Sequence, residues 1–469
     1  MCRASCRKSR ANTVIASPNW NRHGTPIRNK GEGADMRDIL VTLIVLASIP
    51  YIFKQPIWGG VMWIWISVMN PHAQGWGFAR TFPFAALIAC VTLAAILMSK
   101  ERQRFPTMPV SIAMLAFLGW MGLSTLFAIH PDGATEQLIK VTKILGMSFV
   151  LLMVTKSRRQ IMLVLWAVVF SLGFYGVKGG IFTIRSGGSF RIWGPEGTFI
   201  EGNNEIALAI VMVIPLIYFL YTQTENKWWR YAGQAAMCLC ALSALASYSR
   251  GAALAIGVMG AFLWFKSHNR LTFGLLLGFA VPLMLMIMPG EWFDRINSIN
   301  DYKEDGSAMG RINAWNMTFN LAKERPLFGG GFDIYDPGVF LLYAPNPLDV
   351  HAAHSIYFQV LGEHGFVGLL LFALIGFLTW RNCGWVVRQA KRVEELRWAA
   401  SLASMIQVSL LGFFVGGAFL SLAYFDVPYY LVVIAAATRR LVSRTLRTRA
   451  EEARAAASAP QPFAESALS

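Results

Sequence analysis

Apolar and polar positions along this chain fall into long blocks rather than single alternations. From Ile39 onward, apolar runs are separated by short polar connections, and most runs approach the ~20 residues that cross a bilayer as a helix. They extend over Ile39 to Phe53, Pro56 to Met69, Thr81 to Met98, Val110 to Ile129, Leu138 to Val154, Ile161 to Ile184 and Glu205 to Tyr221. Further on come Tyr231 to Ala246, Ala252 to Phe265, Leu271 to Met288, Ser355 to Trp380, Ala399 to Leu420 and Tyr424 to Ala437. None has the period-two pattern of an outer-membrane strand. The predicted fold class is all-α integral membrane, a polytopic helical bundle of about 12 transmembrane helices. One polar block interrupts the series, from Gly290 to Ala353, and His354 closes it.

The basic residues set an orientation, because short loops on the cytoplasmic side collect Lys and Arg. Lys100 to Arg104, Lys156 to Arg159, Lys266 to Arg270, Arg381 to Arg397 and the run after Arg439 read as cytoplasmic. Loops near Trp76, His130, Arg191, Ser249-Arg250 and Phe425-Asp426 then face outward with the polar block, a large periplasmic loop over 290–353. Both termini come out cytoplasmic if Ile39 to Met69 makes one net crossing, as one helix plus a re-entrant or interfacial piece. Residues 1–35 are polar, basic and aperiodic, and are expected to be a disordered tail or to precede a start at Met36. Residues 36–440 form one membrane domain and 441–469 a cytoplasmic C-terminal tail.

Composition narrows this little further. The chain has 469 residues, 55% of them hydrophobic and 14% charged, which excludes an ordinary soluble domain. The net charge of +16 sits in the N-terminal tail, the short loops and the C-terminus, so it marks orientation and not a nucleic-acid surface. The six cysteines include none in the 290–353 block and read as isolated thiols.

Four features on the outward side carry candidate chemistry. Arg250, in SYSRGAALAIG, sits between two apolar runs where a helix start would add backbone N–H groups and a positive dipole end, a setting for an anion. The competing reading is an interfacial arginine that snorkels. Arg191 lies in a Gly- and Pro-broken loop, with Glu196 and Glu201 as its structural alternatives, while Arg185 ends a span and reads as snorkelling. Arg311 belongs to a stretch whose Ile312, Trp315, Met317 and Phe319 suggest an amphipathic helix at the membrane surface. Gly329-Gly330-Gly331 lacks the Lys-Ser/Thr of a nucleotide loop and reads as a tight turn. His354 opens an apolar helix. As a neutral imidazole it could take a proton from an acceptor hydroxyl, or it caps or packs. His351 lies three residues before it, but no third ligand makes a zinc site. Several arginines with one base suit a diphosphate leaving group without a metal.

These pieces, in this order, resemble the O-antigen ligase/O-antigen polymerase superfamily of bacterial inner-membrane proteins. The matching elements are SRGA at Ser249 to Ala252, the Arg191 to Glu205 element ending in Asn-Asn-Glu, and Gly310-Arg311 with Trp315. RPLFGGGF at Arg325 to Phe332 and the H-S-x-x-F-Q-x-L-x-E-x-G element from His354 to Gly365 complete the set. MNPHAQGWGFA, from Met69 to Ala79, is similar to the exosortase A-associated (PEP-CTERM) branch described as probable O-glycosylation ligases. The resemblance implies a GT-C-like glycosyltransferase with no cofactor. Its donor would be an undecaprenyl-diphosphate-linked glycan, its acceptor a protein or lipid, and its setting the bilayer. It places the essential histidine on His354 and the essential arginines on Arg250, Arg191 and Arg311, with Ser249 and Ser355 bordering the substrate. The family often has Asn where Ser355 stands. A polymerase of the same superfamily is the nearest alternative. An anion or glycolipid transporter is a more distant one, for which no inverted repeat is evident.

Overall fold

In the computed structural model, residues 36–458 are described, apart from residue 76 and residues 101–104, 267–269, 291 and 294–305. The described chain is helical, without strands. The helices are α1 Met36–Lys54, α2 Ile57–Ile64 with a π-helical turn over Trp65–Met69, α3 Phe84–Met98, α4 Pro109–Leu126 and α5 Pro131–Val154. They continue with α6 Arg158–Ser186, α7 Asn203–Thr222, α8 Lys227–Leu245, α9 Arg250–Lys266 and α10 Arg270–Leu285. Two helices, α11 Gly306–Glu324 and α12 Pro337–Tyr343, form within the polar block. The last three are α13 Ile356–Ala390, α14 Arg397–Gly417 and α15 Asp426–Ser458. Among the described residues, seven helices are long and apolar enough to cross a membrane, and Ile57–Met69 and Phe84–Met98 are shorter apolar ones.

Polar contacts define the two ends of the bundle. At one end the Arg440 guanidinium donates to the Leu152 carbonyl at 3.1 Å, Arg158 lies over the Trp398 ring at 4.9 Å, and Arg449 pairs with Glu395 at 2.8 Å. The basic connections thus gather at one end, as the charge pattern predicts. At the other end Arg80 pairs with Glu196 at 3.1 Å, His130 with Asp336 at 2.8 Å, and Asn203 donates to the Ser247 carbonyl at 2.7 Å. This second end carries Arg191, Arg250, Arg311 and His354, and is called the site end below.

The first two runs depart from expectation. Arg37, at the start of α1, donates to the Gln74 carbonyl at 3.2 Å, and Asp38 lies against Gly75. Asn70 and Gln74 follow the end of the π turn. Tyr430, near the start of α15, holds the same segment, accepting from Trp63 at 2.9 Å and bonding Ser67 at 3.1 Å. So α1 and α2 form a full hairpin that leaves the site end and returns to it. In place of the expected helix with a re-entrant or interfacial piece, Ile39 to Met69 forms two antiparallel arms, the second of them, Ile57–Met69, a shorter apolar helix, and Met36 and Ser458 lie at opposite ends of the bundle. The reason is local: each run gains helix beyond its apolar core, back to Met36 in one and through the π turn in the other. The expected C-terminal tail begins as a continuation of α15, helical to Ser458. Residues 1–35 and 459–469 lie outside the described residues.

Small residues set a close helix pair. A Cβ on Gly176, Gly179 or Gly180 of α6 would stand 2.4 Å from Cys240 Sγ, 2.2 Å from Ser243 Oγ or 2.3 Å from the Leu239 carbonyl oxygen. Glycine at all three lets α8 approach backbone to backbone, as small residues do in membrane helix pairs.

The polar block folds back onto the bundle. The buried face of α11 is Asn313, Ala314, Met317, Thr318 and Leu321, a helical spacing. It packs with Ile334, Val339 and Phe340 and against α13. Of the expected face of Ile312, Trp315, Met317 and Phe319, Met317 alone is buried, while Ile312 and Trp315 are half-buried and Phe319 is exposed. Hence α11 is part of the protein's packing and not a helix laid on the membrane surface. Asn313 holds the 346–349 turn, donating to the carbonyls of Asn346 at 2.8 Å and Asp349 at 2.9 Å.

Candidate functional site

The site end brings together loops far apart in the chain. The Ser247–Arg250 turn joins α8 to α9 and is held from three sides. Asn203, in the first turn of α7, binds the Ser247 carbonyl. The Tyr248 hydroxyl donates to the Gly188 carbonyl at 2.9 Å. Tyr248 adopts φ +61°, a left-handed conformation costly for a bulky residue. Its ring carries the guanidinium of Arg191 at 5.5 Å, a cation–π distance. Arg191 and Arg250 are therefore neighbours through Tyr248, although they lie far apart in the sequence. The acidic alternatives for Arg191 are engaged elsewhere: Glu196 pairs with Arg80, and Glu201 accepts from the Gly197 amide at 2.8 Å.

Ser249 has a structural role at the start of α9. It is buried, and its Oγ accepts from the Ala252 amide at 3.3 Å. The hydroxyl therefore caps α9, whose first residue is Arg250. Ser355 is also buried, and its carbonyl accepts from Gln359 at 2.8 Å to start α13. Each serine fixes the helix start beside a charged candidate.

His354 is held at φ +43°, a second left-handed residue at this end, and strain of ~1–3 kcal/mol at such positions is typical of functional sites. The residue before it is locked by α11: Trp315 donates its indole N–H to the Ala353 carbonyl at 2.6 Å and stacks on Phe358 at 5.1 Å. The Nδ1 atom of His354 is buried and has no hydrogen-bond partner among the described residues. Burial, then the charges of Arg311 and His351, push its pKa down from 6.5 to about 4. At neutral pH this imidazole is uncharged, with a lone pair to accept a proton.

Arg311 sits between the two groups. Its charge acts on His354 and also on Glu205 in the first turn of α7, the helix that holds the Ser247–Arg250 turn. The packing of α14 closes the circle. Gly251 lies against the Gly416 carbonyl and Phe419, and Gly417 lies against Ile356, so α9 and α13 start on either side of one helix end. Four sequence candidates, Arg191, Arg250, Arg311 and His354, thus border one region.

Beneath His354, α13 is broken. Gly365 has φ +66° and ψ −171°, and the 326–331 backbone docks into the break. The amides of Gly330 and Gly331 donate to the carbonyls of Gly362 and Glu363, each at 2.8 Å, and Phe366 donates to the Pro326 carbonyl at 2.9 Å. The triple glycine is thus a turn, as its sequence implies, and two of its amides are occupied by α13. Irregular backbone at membrane depth is tolerated only where protein satisfies it.

Sequence reasoning missed the polar cluster around this break. The Tyr424 hydroxyl donates to Glu363 Oε2 at 2.5 Å, and Gln359 accepts from the Ala423 amide at 3.3 Å. Burial, then the neighbouring Glu363, raise the Tyr335 hydroxyl well above its usual pKa. Tyr335 also lies close to the backbone of Ala353, so Glu363 and the residue that precedes the histidine share this neighbour. Only the Gln359–Glu363 spacing, four residues on one helix face, was available as a signal. His364 instead bonds Ser124 at 2.7 Å through Nδ1, on α4.

Residues 235–373 match the family described as O-Antigen ligase, and residues 36–225 match a family of unknown function. Arg250, Arg311 and His354 fall in the first segment and Arg191 in the second. A search of curated proteins finds no match to the chain.

Proposed function

We propose that this protein transfers a glycan from an undecaprenyl-diphosphate donor to a hydroxyl acceptor at the outer face of the bacterial inner membrane. The observation that carries the proposal is the meeting of an uncharged, strained His354 with Arg191, Arg250 and Arg311 at one end of the bundle. The likeness of residues 235–373 to O-antigen ligases supports the same chemistry.

In this reading His354 takes the proton of the acceptor hydroxyl as its oxygen bonds to the anomeric carbon. The bond from that carbon to the diphosphate breaks on the opposite face, which inverts the configuration. The electron pair leaves with the lipid diphosphate, whose growing negative charge Arg191 and Arg250 bind, with Arg311 in support. No step requires a metal or cofactor. Tyr248 positions Arg191, and Trp315 positions His354. The likeness of Met69 to Ala79 to O-glycosylation ligases favours a protein acceptor over a lipid.

The test is transfer of labelled glycan from donor lipid by the purified protein in proteoliposomes, offered protein, lipid or a second donor molecule as acceptor. His354→Ala and Arg250→Ala are each expected to lower the rate by at least ~100-fold while still inserting. Full activity in either variant removes that residue from the mechanism. Glycan gained only by the second donor makes the enzyme a polymerase.

A further inference from the structure

A groove of about 960 Å³ lies on the membrane face of α6, bounded by α7 and α8. Its walls include Trp166, Phe170, Phe174 and Phe182 of α6, Tyr221 of α7 and Trp229 of α8. From Trp166 to Arg185 the lining follows α6 for about 28 Å at 1.5 Å per residue, close to the ~30 Å hydrocarbon thickness. Apolar lining is ordinary for a lipid-facing surface. Two lining residues are not ordinary: Lys178 and Arg185. They are two helical turns apart on one face of α6, in the half nearest the site end. Arg185 is one residue from the end of α6 and can reach the interface. Lys178 is about 10 Å deeper along the axis, where a cation in an apolar span calls for an anionic partner.

The groove leads into the candidate site. Phe182 meets Phe190 with ring centroids 6.1 Å apart, and the residue after Phe190 is Arg191, on the Tyr248 ring. Ile192 packs where a Cβ on Gly179 would stand. A chain lying in the groove therefore points its head toward Arg191 and Arg250.

We propose that this groove seats the polyprenyl chain of the donor, and that Lys178 and Arg185 hold its diphosphate beside Arg191. This rests on the glycan-transfer reading for its choice of ligand. The charge pattern favours a diphosphate over an ordinary phospholipid: two cations in the groove and a third at its mouth suit a headgroup with more than one negative charge.

Gly173 supplies the test. It lines the groove, and a Cβ there would meet nothing within 4 Å, so Gly173→Phe fills the groove without forcing the helices apart. Gly257, on α9, is equally open and lies outside the groove, which makes Gly257→Phe the control. Protein in phosphatidylethanolamine nanodiscs is titrated with radiolabelled undecaprenyl diphosphate, with phosphatidylglycerol as competitor. Gly173→Phe and the double variant Lys178→Ala/Arg185→Ala are each expected to weaken retention at least tenfold. Gly257→Phe retains it, and phosphatidylglycerol at equal concentration displaces little. Melting temperatures equal to the parent show that the variants fold.

Unchanged retention in Gly173→Phe overturns the groove, and so does equal displacement by phosphatidylglycerol, which would mark an ordinary lipid-binding surface. Transfer separates the two proposals. If the parent binds the lipid but transfers nothing to any acceptor, the glycan-transfer reading falls and the groove stands. If Gly173→Phe transfers normally, the groove alone falls. A glycan donor with a short prenyl chain, which cannot run along the groove, is expected to be used equally by the parent and Gly173→Phe.

Discussion

Replacing Gly365 with alanine strikes the point where the polar block is fastened to the bundle. At φ +66°, ψ −171° the backbone is open to glycine and scarcely to any other residue, at ~1–3 kcal/mol. A Cβ would also lie 2.4 Å from the Leu327 carbonyl oxygen and 2.6 Å from that of Pro326. Both obstacles are main chain, so no side chain can swing aside. Residues 326–331 must withdraw, which breaks the bonds Phe366 to Pro326, Gly330 to Gly362 and Gly331 to Glu363. Three such bonds at ~1 kcal/mol each, added to the strain, give a loss of about 4–6 kcal/mol. Using ~2.1 cal/mol/K per residue for the entropy of unfolding, a chain of this size should melt roughly 5 °C lower. The assay is thermal unfolding in detergent together with limited proteolysis across 326–331, where cleavage should appear. Gly119→Ala is the reference, because a Cβ at Gly119 meets nothing within 4 Å and alanine in a helix is neutral or up to ~1 kcal/mol stabilising. If Gly365→Ala melts with the parent and resists protease equally, the docking described here does not hold the block in place.

The pH profile tests the histidine. With its pKa near 4, His354 stays uncharged through mild acid. The acid limb of the transfer rate should lie near pH 4, and Arg311→Met should move it upward; a limb at pH 6–7 in the parent would assign the base to another group. Stability follows the same sign. The folded-state pKa is below the unfolded value of 6.5, so unfolding takes up a proton between the two, and stability is lost as pH falls from about 6.5 toward 4. Trp315→Phe keeps the stack on Phe358 but removes the bond to the Ala353 carbonyl, worth ~1 kcal/mol. Transfer should fall severalfold in kcat with KM little changed, and an unaltered kcat would show that the indole does not position His354. Reporter fusions at Met36 and after Ser458 should read from opposite compartments, and a same-side result would refute the α1–α2 hairpin.

The helices were legible because a membrane helix writes itself as an apolar block; most helix ends fall within a few residues of the predicted ones, and seven of the described helices are long and apolar enough to span. The hairpin was not. Lys54-Gln55-Pro56 splits two runs that are each short for a crossing, and the π turn that lengthens the second leaves no mark in its composition. Arg191, Arg250, Arg311 and His354 could be picked singly, since charge at an outward helix end is unusual. What unites them could not be read: Tyr248 under Arg191, and Glu205 beside Arg311, are tertiary pairings. The cap that Ser249 gives α9 was not legible either, because a capping hydroxyl and a substrate-binding hydroxyl look alike in sequence. Lys178 passed unnoticed inside an apolar run, where only the shape of the groove gives its charge a purpose.

The broken helix also bears on how the protein is made. Before the polar block docks, the backbone groups around Gly365 lack their partners, and each such group in lipid costs several kcal/mol. Their partners, Pro326 to Gly331, are synthesised earlier. The site they dock on is older still: Ile129 donates to the Gly330 carbonyl at 2.8 Å, and His130 holds Asp336. The order of contacts thus runs with the order of translation, from the α4–α5 loop to the polar block to α13. Insertion machinery would release α13 into a cradle that is already assembled, and a chain stalled before Arg325 would leave that cradle half built.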